Sequence, residues 1–273
     1  MNFSELQTEN FPITIFALQM NKSLPHDTIV PFKDSDKTKK EQVAGMFDQI
    51  AFRYDFLNRF LSGGIDIYWR KRAIKELKSL QPKKILDVAT GTGDVAIMTY
   101  KFLKPETIIG IDISEGMLQL GRKKVANLLL NKQIELVQGD SEAINFPGNT
   151  FDAITVAFGV RNFSDLQKGL SEMRRVLKPG GKLVVLEFSK PKQSVIKGFY
   201  NLYMRIVTPG IGKLISKNRE AYQYLNDSVQ KFPEGDDFIT IMNSIGYTAT
   251  YFKKLTGGIC TIYCGSKNNS AAL

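Results

Sequence analysis

Two aspartates around a glycine turn carry the clearest chemistry in this chain. In Ile85-Leu86-Asp87-Val88-Ala89-Thr90-Gly91-Thr92-Gly93-Asp94 an apolar run ends in an acid, small residues follow, and a helical pattern begins. That reads as a buried parallel strand, a tight turn and a helix N-terminus. Backbone N–H groups at such a turn meet a ligand closely, because glycine has no Cβ in the way. A second acid, Asp112, ends the next apolar run, Ile108-Ile109-Gly110-Ile111. It follows the glycines by about 20 residues, where a βαβ nucleotide site places the acid that holds a ribose.

The turn has no third glycine; Ala96 holds that place. It fits a dinucleotide, and it fits a nucleoside that carries no phosphate. The flanking acids Asp87 and Asp94 disfavour a pyrophosphate and tolerate an amine or a sulfonium. Asp87, Gly91, Thr92, Gly93 and Asp112 are therefore candidate cofactor-binding residues, with an ordinary strand–turn–helix as the plain alternative. After a third strand, Asp140 can accept an exocyclic adenine amine and the N–H of Ser141 can meet a ring nitrogen. A loop aspartate capping its own backbone has the same pattern.

Phe158-Gly159-Val160-Arg161-Asn162 follows a fourth strand, in the crevice position where open α/β sheets hold ligands. There Arg161 can stabilise an anionic oxygen, or simply pair with a nearby acid. Tyr54, Asp55 and Asn58 share one helical stretch, with Asp55 and Asn58 on one face that can sit above the glycine turn. A capping cluster is the alternative. Trp69 reads as core. Arg161, Asp55, Tyr54 and Asn162 are the candidate catalytic residues.

The elements that position these groups alternate. From Val43 to Leu80, apolar residues recur at helical spacing, broken by Ser62-Gly63-Gly64. Strands are expected at Lys84–Val88, Thr107–Ile111, Ile134–Val137, Phe151–Ala157 and Lys182–Phe188. Helices are expected at Asp94–Leu103, Ser114–Leu130 and Asp165–Leu177, the last with a capping-box pattern at Ser164 and Gln167. Repeated strand–helix units imply a parallel sheet with helices on both faces. The alternation lapses between Ser189 and Phe232, a basic and aromatic segment that looks like inserted helices. Helix Asp236–Ile245 resumes the domain. Tyr247–Leu255 and Ile259–Ser266, joined by Thr256-Gly257-Gly258, form an antiparallel hairpin that closes the sheet. Residues 1–42 read as a flexible tail with His26 in it, and 43–273 as one domain with helical caps at 43–80 and 190–232.

The chain's 273 residues, 43% hydrophobic, suit one α/β domain with additions. The net charge of +10 suits anionic substrates, an acidic membrane face or merely a solvated surface. No nucleic-acid motif accompanies it. Cys260 and Cys264 share a face of one strand and stand too far apart for a disulfide, so both are expected as packed thiols in a reducing cytoplasm. With His26 the single histidine, no metal site is expected. No apolar run reaches the length of a membrane span.

Tyr54-Asp55-Phe56-Leu57-Asn58-Arg59-Phe60-Leu61-Ser62, with Trp69 following, resembles the first motif of the menaquinone/ubiquinone biosynthesis C-methyltransferases. Arg175-Val176-Leu177-Lys178-Pro179-Gly180-Gly181-Lys182-Leu183, running on through Leu186-Glu187-Phe188-Ser189-Lys190-Pro191, resembles the second. Ile154–Asn162 is similar to the stretch between them. The resemblance runs from about Val43 to Lys267. It implies a class I, Rossmann-like methyltransferase fold that uses S-adenosyl-L-methionine, with Thr92, Asp112, Asp140 and Ser141 at the family's cofactor positions. It further implies methylation of a ring carbon on a polyprenylated quinol. Two positions depart from the family's pattern. Ala157 stands where a serine is usual, and Asp66 where a histidine precedes the tryptophan.

On this reading Arg161, with Asn162, stabilises the developing phenolate, and Asp55 or Tyr54 accepts the quinol proton. Lys190–Tyr224 covers the quinol and rests on an anionic membrane surface at the inner face, or is a folded cap with solvated lysines. A homodimer is one assembly compatible with this reading; the sequence does not give the oligomeric state. Three other readings share parts of the pattern: a methyltransferase for a soluble metabolite, an NAD-linked oxidoreductase, and a non-catalytic binding protein.

Overall fold

Seven strands form one sheet in the order β3-β2-β1-β4-β5-β7-β6 in a computed structural model. It describes residues 24–191 and 219–269, apart from a few side chains of the first and sixth helices, Tyr54 and Asn58 among them. The strands are β1 (Lys84–Val88), β2 (Thr107–Asp112), β3 (Ile134–Gln138), β4 (Phe151–Ala157), β5 (Leu177–Phe188), β6 (Tyr247–Leu255) and β7 (Cys260–Lys267). The helices are α1 (Lys39–Leu61), α2 (Ile65–Lys75), α3 (Asp94–Leu103), α4 (Glu115–Asn127), α5 (Leu166–Val176), α6 (Arg219–Lys231) and α7 (Asp236–Ser244). Strands β1 to β5 pair in parallel, and β7 pairs antiparallel with both β5 and β6. The expected fold class is the one observed.

Alternating side chains divide the core between the two faces of the sheet. Leu86, Val88, Ile154, Val156, Leu183 and Val185 pack with α5 and α7. Ile85, Ile108, Ala153, Val184 and Leu186 pack on the other face with α2, α3 and α4. Trp69 is core, as expected, and its Nε1 donates to Thr256 Oγ1 at 2.7 Å, tying α2 to the β6–β7 turn. Cys260 and Cys264 are both free and buried.

Three expectations need correction. Residues 24–42 are packed rather than a loose tail. His26 is 1% exposed, its ring edge-on to Phe232 at 5.8 Å, and Lys39 Nζ donates to the His26 carbonyl at 2.9 Å. Burial and the nearby Lys39 push the His26 imidazole down to about 3, so it is neutral. The polar composition misled because these polar side chains satisfy backbone groups: Gln42 Oε1 accepts from Phe32 N at 2.9 Å and its Nε2 donates to Lys37 O at 2.7 Å. Helix α5 is capped by Asp165, which accepts from Lys168 N at 2.9 Å, and not by Ser164. Strand β5 begins at Leu177, so Lys178–Gly181 continue the strand with a register shift opposite Phe151 and Ala153. The expected tail at 1–23 and most of the expected insertion lie outside the described residues.

Candidate active site

The strand order reverses between β1 and β4, and a cleft opens over the carboxyl ends of β1 to β4. That is the place where doubly wound sheets hold ligands. Its wall is tightly built. Ala89 and Phe158, at the ends of the two switch strands, both adopt left-handed φ values of 52° and 59°. Such backbone strain in residues with side chains concentrates at functional sites. Gly159 is required beside them, because a Cβ there would stand 2.5 Å from the Ala89 Cβ.

Asp112 organises the cofactor side. Its Oδ2 accepts from Gly91 N at 2.8 Å and its Oδ1 from Ser114 N at 2.9 Å. The carboxylate thus ties the glycine turn to the start of α4 and still has acceptor capacity toward the cleft, as two vicinal ribose hydroxyls require. Burial pushes its carboxyl above the usual aspartate range despite the N–H groups that favour the anion. Asp48 of α1 completes the corner, accepting from Ser114 Oγ at 2.6 Å and Gly116 N at 2.9 Å. At the opposite rim Lys40 pairs with Asp140 (2.7 Å) and Glu142 (2.8 Å). Among the described residues Asp112, Asp140 and Glu142 face the cleft against one cation, Lys40, and this acidic lining suits a cationic nucleoside better than a pyrophosphate.

Of the candidate residues, Gly91, Asp112, Asp140, Ser141 and Asn162 line the cleft; Asp87, Thr92, Gly93, Asp55 and Arg161 do not. Asp87 lies 1% exposed behind the turn, accepting from Thr90 Oγ1 and Thr155 Oγ1, both at 2.6 Å. Burial raises its carboxyl to about 6. Gly93, at φ 77°, is the backbone hinge that starts α3. Thr92 faces away from the cleft: its Oγ1 donates to Asp55 Oδ1 at 2.6 Å and accepts from Lys124 Nζ at 2.9 Å. Asp55 does sit over the glycine turn, but its carboxylate is taken up by Thr92 and Lys124. The side chains of Tyr54 and Asn58 lie outside the described residues.

A second layer, missed in the sequence, surrounds the turn. Lys124 also reaches Asp94 at 2.8 Å, and Asp94 pairs with Arg70 at 2.9 Å. Arg59 bridges Asp66 (3.0 Å) and Asp94 (3.4 Å). Burial pushes Asp94 up, but Lys124 and Arg70 outweigh it and hold the carboxyl below its ordinary value. Asp66, at the position of the family's histidine, is thereby a partner in this network and buried at 3% exposed. Asp87 and Asp94, expected to set the charge at the turn, are satisfied elsewhere, and the acids that face the cleft are Asp112, Asp140 and Glu142.

Arg161 is buried with Glu187 as its partner, Nη1 to Oε1 at 2.7 Å, and Nη1 also donates to the Phe158 carbonyl at 2.6 Å. Next to it Asn162 lines the cleft and its Oδ1 accepts from the Tyr224 hydroxyl of α6 at 3.1 Å. Burial pushes the Tyr224 phenol and the Glu187 carboxyl up. Lys40, Lys124, Tyr224 and Glu187 were not read as functional. Only Glu187 carried a signal, since it ends an apolar strand as Asp87 and Asp112 do.

The strand order, the acidic cleft at the switch point and the aspartate on the glycine turn define a class I S-adenosyl-L-methionine-dependent methyltransferase. A SAM-dependent methyltransferase from Aquifex aeolicus has the same fold, with a TM-score of 0.51 and 21% identity over 71% of this chain and 88% of that one. Residues 35–267 match the model of the ubiE/COQ5 methyltransferase family, and this chain belongs to that family. It is 49% identical over 243 residues to the demethylmenaquinone methyltransferase of Bacteroides fragilis, covering 89% of this chain and 99% of that protein. It is 48% identical over 230 residues to the ubiquinone/menaquinone biosynthesis C-methyltransferase UbiE of Geobacter sulfurreducens, covering 84% of this chain and 90% of that protein.

Proposed function

We propose that this chain methylates a ring carbon of a demethylated polyprenyl quinol, converting demethylmenaquinol to menaquinol. The observation that carries the reading is the near full-length likeness to a relative of that name, 49% identical over 99% of its length. The cleft supports it. When bound, S-adenosyl-L-methionine supplies an electrophilic methyl: its S–CH₃ bond breaks as the ring carbon's new C–C bond forms, and the ring hydrogen leaves as a proton.

Asp112 holds the ribose hydroxyls, and Asp140 with the N–H of Ser141 receives the adenine. Val43, Phe47, Met117 and Phe163 narrow the cleft and exclude water. Phe158 and Asn162 form the wall toward the acceptor, so that the ring carbon is held in line with the transferred methyl, which is mainly an orientation problem. Arg161, behind that wall, stabilises the quinol oxygen as it becomes anionic. Asp55 holds the glycine turn through Thr92 rather than acting as the base.

Methyl-labelled S-adenosyl-L-methionine offered with demethylmenaquinol and with the demethylated benzoquinol tests the reading. Label in the naphthoquinol is expected; label in neither would end it, and label in the benzoquinol alone would change the substrate. The proposal includes contact of the Lys190–Tyr224 segment with an anionic membrane, from which a polyprenyl chain must be drawn. No helix among the described residues is long and apolar enough to cross one. Vesicles with and without anionic lipid, at low and high salt, test the contact. A homodimer is tested by sedimentation.

A further inference from the structure

Glu187 has no task in the scheme above, although its setting is unusual. It is 0% exposed at the carboxyl end of β5. Its Oε1 accepts from Arg161 Nη1 at 2.7 Å and from Phe188 N at 2.8 Å, and its Oε2 faces the Arg161 backbone N at 3.4 Å. The guanidinium is held from two further sides. The Phe158 carbonyl accepts from Nη1 at 2.6 Å, and the Phe188 ring lies against the guanidinium, 5.4 Å from its centroid. Yet Arg161 Nε is buried with no hydrogen-bond partner. A buried charged donor left open in so well-fixed a group costs free energy, so the guanidinium is held in place by Glu187 at a cost to stability. Residues Phe158, Gly159 and Asn162, which flank Arg161 in sequence, line the cleft.

We propose that Glu187 is a positioning residue that fixes the Arg161 guanidinium behind the Phe158–Asn162 wall of the cleft, where it acts on the quinol oxygen through that wall, and offsets part of its charge. The inference rests on the quinol reading above. The offset has a chemical purpose. An uncompensated buried guanidinium would stabilise the phenolate so strongly that its electrons would be less available to the ring carbon. With Glu187 beside it, the cation orients the oxygen and favours loss of its proton without draining the ring. Among the described residues, the other titratable groups facing the pair are Tyr224, Cys260 and Tyr263. Burial pushes all three up, so they stay neutral and the charge balance is set by Glu187.

The test compares wild-type protein, Glu187→Gln and Arg161→Lys in methyl transfer to demethylmenaquinol across the pH range, with cofactor affinity measured by calorimetry. Glu187→Gln is expected to lower kcat by about 10- to 100-fold, as loss of an orienting partner does. Its cofactor affinity should stay within about twofold, and the rising limb of its pH–rate profile should move to lower pH, because the phenol now faces an unbalanced cation. Arg161→Lys keeps the charge balance and loses the planar edge, so kcat should fall while the limb stays in place. A Glu187→Gln profile with an unmoved limb overturns the inference, whether or not kcat falls. Should Glu187→Gln lose its fold, Arg161→Lys decides alone: wild-type kcat there overturns the inference. Wild-type protein that binds the cofactor and labels no quinol overturns the quinol reading and this inference with it. A wild-type enzyme that labels the quinol, beside variants that behave otherwise than stated, overturns this inference alone.

Discussion

Two charge clusters flank the cleft, and they are built on opposite principles. Around the glycine turn, Asp55, Asp66 and Asp94 share Arg59, Arg70 and Lys124 in a network whose Asp55, Arg59 and Lys124 are a third exposed or more, or close to it. Behind the acceptor wall a single pair, Arg161 and Glu187, is buried almost completely. Each charge in the first cluster has a second partner or water to fall back on. In the second, neither charge has another charged partner among the described residues, only backbone groups. Exposed pairs are screened and contribute little one at a time, whereas breaking a buried pair strands a charge in a low dielectric. The network therefore serves as adjustable bracing for the turn, while the pair is a fixed instrument.

The sharpest way to break this contrast is Arg161→Leu. It strands the Glu187 carboxylate, and a loss of about 3–5 kcal/mol in urea unfolding is expected. The double variant Arg161→Met/Glu187→Leu should regain most of that stability while remaining inactive, because an apolar pair of similar volume removes the stranded charge. A single variant as stable as wild-type would put the pair in the same class as the surface network.

Asp112→Ala probes an acid that belongs to neither cluster. It withdraws an acceptor from the cofactor's hydroxyls and frees the N–H groups of Gly91 and Ser114. A loss of about 3 kcal/mol in cofactor binding is expected by calorimetry, roughly two hydrogen bonds to a charged group. Affinity reduced less than about tenfold, some 1.4 kcal/mol, would move the ribose contact elsewhere.

Asp87 is the intermediate case, a buried acid held by two neutral hydroxyls with no cation in contact. Its carboxyl titrates at about 6 in the fold, against about 3.9 in an unfolded chain. The folded state thus holds the proton more tightly. The stability this gives is present at acid pH and is lost as the pH rises through about 6. Asp87→Asn removes the dependence. Relative to wild-type, the variant should gain roughly 2–3 kcal/mol of unfolding free energy between about pH 4 and about pH 7.5. A difference that stays flat across that window would show the acid to be ionised at no cost.

The contrast also explains what was legible in the sequence. Strand–helix alternation depends on local periodicity, so β1, β4 and α3 fall where the pattern puts them. Asp112, proposed above for the ribose, stands out in the sequence because a ligand-holding acid at a strand end has a fixed distance from its glycine turn; what the structure shows is its hold on Gly91 N and Ser114 N. The acceptor side lacks such a local rule. Arg161 meets Glu187 across neighbouring strands, 26 residues apart, and Asn162 meets Tyr224 across 62. Only packing creates those pairs. Asp55 was rightly placed over the turn, but helical phase does not say that Lys124, 69 residues further along by number, would take up its carboxylate. In residues 24–42 the sequence pattern shows polar residues and not the backbone carbonyls that they serve.

The smallest expected effect tests the network directly. Lys124→Met removes the cation shared by Asp55, Thr92 and Asp94 and leaves Arg70 on Asp94. With Lys124 31% and Asp55 36% exposed in their side chains, solvent screens the pair. The loss in unfolding free energy should be below about 1 kcal/mol. It should shrink further in about 1 M salt, where screening acts within about 3 Å. Cofactor affinity should change little, because Asp112 holds the turn by its backbone independently of Lys124. A loss comparable to that of Arg161→Leu, unmoved by salt, would mean that Lys124 is as isolated as the buried guanidinium. The bracing around the glycine turn would then be a single lock with no spare partners.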